Sequence, residues 1–223
     1  MSQQPYAVIF DMDGVLVDSY QAHFESWKRV YSAEGLDYTE SAFAADFGRT
    51  SRDILRRTLG DSLTDTRVSE LDGRKEAFYR DILRENFPAM DGASELIEAL
   101  AADGFLLAIG SSGPPENVAL VMEQLAGAKR FAATVTGADV TRGKPDPQVF
   151  LIAAERLGVP AAACAVVEDA VHGITAAQRA GMAAIALTGT LQRDELSAAD
   201  AVVDSLRQLS PEQIRALIAS RAD

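Results

Sequence analysis

The apolar residues of the chain form two patterns: short continuous runs, and stripes that recur at helical spacing. The first run, Ala7–Phe10, is rich in β-branched and aromatic residues and predicts a fully buried strand. From Asp91 onward, similar runs alternate with helical stripes. The predicted later strands are Phe105–Ile109, Ala132–Thr136, Ala163–Val167, Ala183–Leu187 and, at the sheet edge, Ala201–Val203. Strands that alternate with helices predict an α/β fold with a parallel, doubly wound sheet.

Between the first strand and Asp91 the pattern is helical. No convincing strand occurs over roughly seventy residues, and apolar stripes such as Phe24, Trp27 and Val30 keep helical spacing. The predicted helices end near Gly35, at Phe47, at Gly60 and before Pro88. The chain therefore predicts a core domain of residues 1–17 and 91–223, with an all-helical cap domain of residues 18–90 inserted after the first strand.

Composition and charge restrict the classes of function. The 223 residues are 48% hydrophobic and 24% charged, which is typical of a soluble globular protein. The net charge of -12 disfavours nucleic acid and anionic membranes as partners. It is compatible with a small anionic substrate, because a metal and a few local cations can reverse the field inside one cleft.

Cysteine content and the N-terminus favour a cytoplasmic location. The single cysteine, Cys164, lies in an apolar run and is interpreted as a buried core residue. No disulfide can form within the chain, and the N-terminus lacks the basic and apolar regions of a signal peptide. We expect a cytoplasmic protein that is a monomer or a weak homodimer.

Two acids, Asp11 and Asp13, follow the first strand directly, and Gly14 comes next. Side chains at positions i and i+2 of an extended segment point the same way, so both acids can face one point beyond the carboxyl end of the strand. In open α/β sheets ligands bind at that edge. Two close like charges repel unless a cation lies between them, and oxygen ligands favour a hard cation. The pattern therefore predicts a divalent metal such as Mg²⁺.

Two further strand ends carry groups suited to phosphate. The strand that ends at Ile109 runs into residues 110–113 (Gly-Ser-Ser-Gly), where hydroxyl and N–H groups precede a helix. Lys144 lies in residues 143–147 (Gly-Lys-Pro-Asp-Pro), where the backbone is fixed rather than helical. Each segment alone is also compatible with an ordinary surface turn.

Glu168 and Asp169 end another buried strand and repeat the arrangement of Asp11 and Asp13. The four acidic, serine and lysine segments occur in order, each after a separate predicted strand. They resemble the four motifs of the haloacid dehalogenase-like phosphotransferases, the first of which is Asp-x-Asp-Gly-x-x-x-Asp-Ser at residues 11–19. The resemblance covers essentially the whole chain. The helical insertion resembles the cap of the β-phosphoglucomutase-like and phosphoglycolate phosphatase-like branch.

The resemblance implies a role for each matched residue. Asp11 would be the nucleophile that forms an aspartyl-phosphate, and Asp13 would act as general acid and then as general base. Ser111 and Lys144 would bind the phosphoryl oxygens during transfer. The implied cofactor is Mg²⁺, held by Asp11, by Asp13 through its backbone carbonyl, by Asp169 and by Glu168, the last directly or through water.

Substrate choice is expected to lie in the cap, because the core binds only phosphate. Residues 47–52 (Phe-Gly-Arg-Thr-Ser-Arg) resemble the cap loop that this branch lowers over the site, and His23 lies on the first cap helix. An ordinary helix histidine and plain surface arginines are the alternatives. The candidate substrate-binding residues are Gly14, Ser112, His23, Arg49 and Arg52.

The cap loop departs from the mutase pattern at Phe47, where a lysine usually precedes the loop glycine. The phosphate-binding arginine of the mutases falls near Ser51 or Arg52. A mutase must hold a second phosphate in the cap and keep water off the phosphoenzyme. Because Phe47 replaces a lysine that would help to bind that phosphate, the sequence favours a phosphatase. We expect an enzyme that hydrolyses a small phosphorylated metabolite, a sugar phosphate or phosphoglycolate. The alternatives are a β-phosphoglucomutase and, less favoured because the motif acids and the lysine are all present, a non-catalytic phosphate-binding regulator.

Overall fold

The computed structural model describes residues 5–46 and 49–221. Its strands are β1 (Ala7–Phe10), β2 (Leu106–Gly110), β3 (Phe131–Val135), β4 (Cys164–Glu168), β5 (Ala183–Leu187) and β6 (Ala201–Val203). All pair in parallel, in the order β3-β2-β1-β4-β5-β6. The predicted parallel, doubly wound sheet is therefore confirmed.

The helices of the described residues are α1 (Tyr20–Ala33), α2 (Glu40–Asp46), α3 (Ser51–Leu59), α4 (Asp65–Glu85), α5 (Ala93–Ala102), α6 (Pro115–Gln124), α7 (Gln148–Leu157), α8 (Val171–Arg179) and α9 (Pro211–Ala219). None of them has the length and apolar character needed to cross a membrane. Hydroxyl groups cap several starts, as at Thr50, which accepts from the Asp53 N–H, and at Ser210, which accepts from the Gln213 N–H. The predicted helix end at Phe47 lies outside the described residues.

The chain divides into two compact units. The larger consists of Met1–Asp18 and Pro88–Asp223, and the smaller of Ser19–Phe87. In the larger unit, the segments that lead into and out of the insertion pair with each other. The Asp18 N–H donates to the Pro88 carbonyl at 2.8 Å, and the Met90 N–H donates to the Leu16 carbonyl at 3.0 Å.

The centre of the larger unit is strand β1, whose four residues are fully buried. It pairs with β2 on one side and β4 on the other, so that Phe10 lies opposite both Ile109 and Val167. This register brings the carboxyl ends of three strands to the same level. The strand order also reverses between β1 and β4, and ligands bind at such a point in doubly wound sheets.

The smaller unit has its own apolar core, which includes Trp27, Tyr31 and Leu55. Helix α4 buries one stripe of side chains. The buried stripe recurs every fourth residue, at Leu71, Lys75, Tyr79 and Leu83, while Phe78 and Ile82 are only partly buried. A lysine can occupy this stripe because its ammonium has polar partners inside the unit: the Nδ1 atom of the His23 ring at 2.9 Å and the Glu76 carboxylate at 2.7 Å.

Candidate active site

Three buried carboxylates meet at the carboxyl ends of β1 and β4. Asp11 follows β1 directly, and its N–H still pairs with the Val167 carbonyl of β4 at 2.9 Å. Glu168 is the last residue of β4, and Asp169 comes next. One oxygen atom from each of Asp11, Glu168 and Asp169 lies within 4.8 Å of the others. Such an all-oxygen cluster can hold a hard metal ion.

The Lys144 ammonium bridges two of these carboxylates. It donates to Asp11 Oδ1 and, at 2.8 Å, to Glu168 Oε1. The Lys144 side chain is only 11% exposed, and its Nζ atom lies 4.8 Å from the centre of the Phe150 ring. The loop between β3 and α7 therefore brings a fixed positive charge to the carboxyl edge of the sheet, next to Asp11.

The Glu168 carboxylate accepts hydrogen bonds at both of its oxygen atoms. Its Oε1 atom accepts from Lys144, and its Oε2 atom accepts from the backbone N–H groups of Asp169 and Ala170, each at 2.7 Å. Gly173, in the first turn of α8, lies so close that a Cβ atom there would overlap Glu168 Oε1. The small residue at position 173 thus allows the helix to approach the carboxylate.

Asp169 is fixed through one of its oxygen atoms. The hydroxyl of Thr190, which lies after β5, donates to Asp169 Oδ2. Gly14 adopts a left-handed conformation with φ of +77°, and a Cβ atom there would overlap the same oxygen. Thr190 was not among the predicted site residues, because it belongs to no motif. Its only signal is its position after the strand that neighbours β4.

The charges of this cluster shift the pKa values of its members. Burial, reinforced by the charges of Glu168 and Asp13, raises the pKa of Asp11 to about 7, against the opposing effect of Lys144. Burial and the neighbouring Glu168 and Asp11 likewise raise the pKa of Asp169 well above its usual range. Burial alone would lower the pKa of Lys144, but the Asp11 and Glu168 carboxylates outweigh it and raise that pKa. Among the described residues the site has more carboxylates than cations, so a divalent metal ion would balance its negative charge.

Ser111 lies one residue beyond the end of β2. It is buried, its N–H donates to the Val135 carbonyl at 3.0 Å, and its hydroxyl accepts from the Gly113 N–H at 2.9 Å. Ser112 is exposed. A turn after β3 supports this loop: the Gly137 N–H donates to the Gly113 carbonyl at 2.8 Å, and a Cβ atom at Gly137 would lie 2.5 Å from the Ser112 carbonyl oxygen. The backbone of the predicted phosphate loop is thus fixed.

Asp13 is partly exposed, and its carboxylate does not belong to the three-residue cluster formed by the described residues. Its charge nevertheless contributes to the raised pKa of Asp11. A position near the nucleophile but outside the carboxylate cluster is compatible with proton transfer. The predicted contact of Asp13 with the metal is through its backbone carbonyl, not its carboxylate.

The candidate substrate-binding residues of the cap lie in the smaller unit. The His23 ring stacks on Tyr79, with 4.3 Å between ring centres. Arg52 forms an ion pair with Asp65 at 2.6 Å, and its side chain is 49% exposed. The Arg49 side chain is 53% exposed and lies 3.9 Å from the buried Asp46 carboxylate. Phe47 and Gly48, the first two residues of the predicted cap loop, lie outside the described residues.

Replacing Gly14 with alanine is expected to destabilise the protein by at least about 2–3 kcal/mol, because left-handed strain adds to overlap with Asp169. The matched control is Gly181→Ala. Gly181 has φ of +75° and open space around its missing Cβ, so it isolates the strain, at roughly 1 kcal/mol. Urea unfolding of both variants measures the difference. An equal decrease in the free energy of unfolding for both variants would show that the close contact between Gly14 and Asp169 does not affect stability.

The chain is similar to proteins of known class along nearly all of its length. A family model described as haloacid dehalogenase-like hydrolase matches residues 6–181. The phosphorylated carbohydrates phosphatase of Thermotoga maritima is 36% identical over 183 residues, which cover 79% of this chain and 82% of the relative. The β-phosphoglucomutase of Bacillus subtilis is 33% identical over 218 residues, which cover 92% of each chain. A crystal structure of a family IA, variant 3 hydrolase of this class from Entamoeba histolytica superimposes with a TM-score of 0.89 at 26% identity, covering 96% of this chain and 99% of that one.

The chain therefore belongs to the haloacid dehalogenase-like hydrolase family. The membership and the branch that the sequence motifs predicted are confirmed. The prediction of an enzyme is confirmed with them, since named phosphatases and a phosphomutase are among the relatives.

Proposed function

We propose that the chain is a Mg²⁺-dependent phosphatase, which hydrolyses a small phosphorylated metabolite through an aspartyl-phosphate on Asp11. One observation carries the proposal: the buried Asp11 carboxylate is paired with Lys144 and lies within ligand distance of Glu168 and Asp169. A nucleophile of this kind must meet an anionic phosphate, and the fixed ammonium beside it reduces the repulsion. The names of the Thermotoga maritima and Bacillus subtilis relatives support a sugar phosphate as the substrate, and a phosphoglycolate-like acid is the alternative that the cap resemblance implies.

The proposed metal ligands are Asp11, Asp169 and the backbone carbonyl of Asp13, with Glu168 directly or through water. These oxygen donors suit Mg²⁺, and the surplus of negative charge in the cluster at high pH favours a cation. When bound, Mg²⁺ supplies charge neutralisation on the nucleophile and on the transferred phosphoryl group. Since Glu168 already accepts from Lys144 and two backbone N–H groups, we favour the contact through water for Glu168.

The proposed reaction has two steps, both on Asp11. In the first, the Asp11 carboxylate attacks phosphorus, the bond from phosphorus to the leaving oxygen breaks, and Asp13 gives that oxygen its proton. In the second, water attacks the phosphoryl group while Asp13 takes a proton from the water, and the bond between phosphorus and Asp11 breaks. Inorganic phosphate and the free carboxylate of Asp11 are the products.

Lys144 and Ser111 are proposed to bind the phosphoryl oxygens. A lysine ammonium has three N–H donors, and those to Asp11 and Glu168 account for two of them. We propose that the third donates to the phosphoryl group. Because the two carboxylates fix the ammonium before substrate arrives, little reorganisation is needed during transfer.

We propose that the smaller unit is the cap that selects the substrate, with His23, Arg49 and Arg52 among the contacting residues and Gly14 and Ser112 contributing from the core. Both arginine side chains are about half exposed, so their guanidinium groups are accessible to an anion or to sugar hydroxyls. An arginine fork binds a carboxylate or phosphate through two parallel hydrogen bonds.

A β-phosphoglucomutase is the second candidate, favoured by the 33% identity to the Bacillus subtilis enzyme. A panel of phosphorylated sugars and short acids, each incubated with the protein and Mg²⁺, tests the phosphatase by release of inorganic phosphate. β-Glucose 1-phosphate with a trace of glucose 1,6-bisphosphate tests the mutase. Formation of glucose 6-phosphate without release of free phosphate would contradict the phosphatase and show that the protein is a mutase.

Addition of Mg²⁺ is expected to stabilise the protein more at about pH 8 than at about pH 5.5. The pKa values of Asp11 and Asp169 are higher in the folded protein than in the unfolded chain. Without metal, the free energy of unfolding therefore falls as pH rises toward about 7. Metal must displace the protons of these acids at low pH but not at high pH. At about 100 times the dissociation constant we expect the melting temperature to rise by roughly 5–10 °C at the higher pH.

Thermal unfolding with MgCl₂, against NaCl of equal ionic strength, measures this difference. A rise in melting temperature of the same size at both pH values would contradict a metal site built from the raised-pKa acids.

A further inference from the structure

Thr190 lies in the loop after β5, at the carboxyl edge of the sheet. Strands β4 and β5 pair in parallel, with Glu168 opposite Ala186, so the loop after β5 leaves the sheet beside Asp169. The Thr190 hydroxyl donates a hydrogen bond to Asp169 Oδ2. Thr190 is partly buried, and neither the motifs nor the proposed reaction assigns it a role.

The loop that carries Thr190 is anchored at both ends by one residue, Asp204. Its Oδ1 atom accepts from the Thr188 hydroxyl at 2.9 Å, and its Oδ2 atom accepts from the Arg193 guanidinium at 2.8 Å. Arg193 also donates to the Val202 carbonyl at 2.9 Å, and the Thr188 N–H donates to the Val203 carbonyl at 2.9 Å. The loop is therefore tied on both sides of Thr190 to the residues of β6 and just beyond it, which restricts the position of Thr190.

Asp169 Oδ2 is confined on two sides. Gly14 lies against it, and a Cβ atom at Gly14 would also come within 3.0 Å of Thr190 Oγ1. Thr190 and the Gly14 turn thus occupy the space around one carboxylate oxygen. This arrangement restricts the rotation of the Asp169 side chain, which contributes an oxygen atom to the cluster with Asp11 and Glu168.

We infer that Thr190 is a positioning residue for the divalent cation, which orients Asp169 by its hydroxyl and does not itself touch the metal. The inference rests on the proposed metal site. Hydrogen-bond donors behind a metal-binding carboxylate fix its geometry, and their removal typically weakens metal binding by 10–100-fold. Thr190 has this relation to Asp169, while Lys144 and the backbone N–H groups have it to Glu168.

The test is the dissociation constant of Mn²⁺ for the full chain, measured by electron paramagnetic resonance of the free ion, which requires no turnover. Thr190→Val keeps the shape of the side chain and removes the donor, so we expect binding to weaken by about 10–100-fold. Thr190→Ser keeps the hydroxyl and is expected to stay within about 3-fold of the wild type. Thr175→Val, which removes an exposed hydroxyl that bonds to the Val171 carbonyl, is the matched control and is expected to bind as the wild type does.

The outcomes separate this inference from the metal site itself. Wild-type protein that binds no Mn²⁺ overturns the proposed metal site, and this inference with it. Wild-type binding together with unchanged binding by Thr190→Val overturns the inference alone. If Thr190→Val does not fold, as judged by circular dichroism, Thr190→Ala takes its place with the same expected loss. Equal weakening in the serine variant would show that the hydroxyl is not the group responsible.

Discussion

The Asp11→Asn variant is expected to lose turnover by about 10⁴-fold or more while it folds normally. An asparagine amide cannot act as the nucleophile, but its oxygen can still accept from Lys144, whose ammonium also keeps its 2.8 Å bond to Glu168. The measurement is phosphate release with the best substrate of the panel, alongside circular dichroism and urea unfolding.

Asp194→Asn is the matched control for Asp11→Asn, because it makes the same chemical change at an exposed position in the same unit. We expect this control to keep wild-type activity. Normal turnover in the Asp11 variant would remove the aspartyl-phosphate from the proposed reaction. Loss of both folding and activity would instead assign Asp11 a structural role.

The Lys144→Met variant is expected to lose both activity and stability. Without the ammonium, the buried carboxylates of Asp11 and Glu168 lose their counterion, and breaking a buried ion pair in this way costs about 3–5 kcal/mol. The loss depends on pH. Lys144 lowers the pKa of Asp11, so its removal raises that pKa above 7. At about pH 5 Asp11 is then protonated and neutral, and loss of the ammonium costs the folded state less. The destabilisation should therefore be larger at about pH 8 than at about pH 5.

Urea unfolding in the presence of a chelator measures this effect without metal. Lys129→Met is the control, because Lys129 is exposed and its replacement should change the free energy of unfolding by less than about 0.5 kcal/mol. A Lys144 variant that unfolds at the same urea concentration as the wild type, at both pH values, would contradict the electrostatic account of the site.

The sequence predicted the parts of the site that follow strands directly. Asp11, Ser111 and Asp169 each come right after a buried apolar run, and parallel pairing brings such positions to one edge. Lys144 was predicted from its glycine and proline neighbours, although only the structure shows its bonds to Asp11 and Glu168.

Contacts between residues that lie far apart in the sequence were not predicted. Thr190 could not be found, because its contact with Asp169 requires β5 to lie beside β4 and the following loop to be anchored by Asp204. The burial of Lys75 was missed because a single charged residue in a helical stripe predicts an exposed side chain unless its partners are known.

Strand limits were also displaced in places by one residue. The prediction began the second strand at Phe105, whereas β2 begins at Leu106, whose N–H pairs with the Tyr6 carbonyl. The end of a strand is determined by its neighbour in the sheet as much as by its own residues.

The pairing of Asp18 with Pro88 has a consequence for how such enzymes diversify. Because that hydrogen bond holds the residues on either side of the inserted segment 2.8 Å apart, from N to O, this junction suits insertions of different length whose own termini lie close together. The entropic cost of closing a longer insertion grows only with the logarithm of its length. Exchange of one inserted segment for another at this junction would therefore leave the carboxyl edge of the sheet, and the acids that follow its strands, in place.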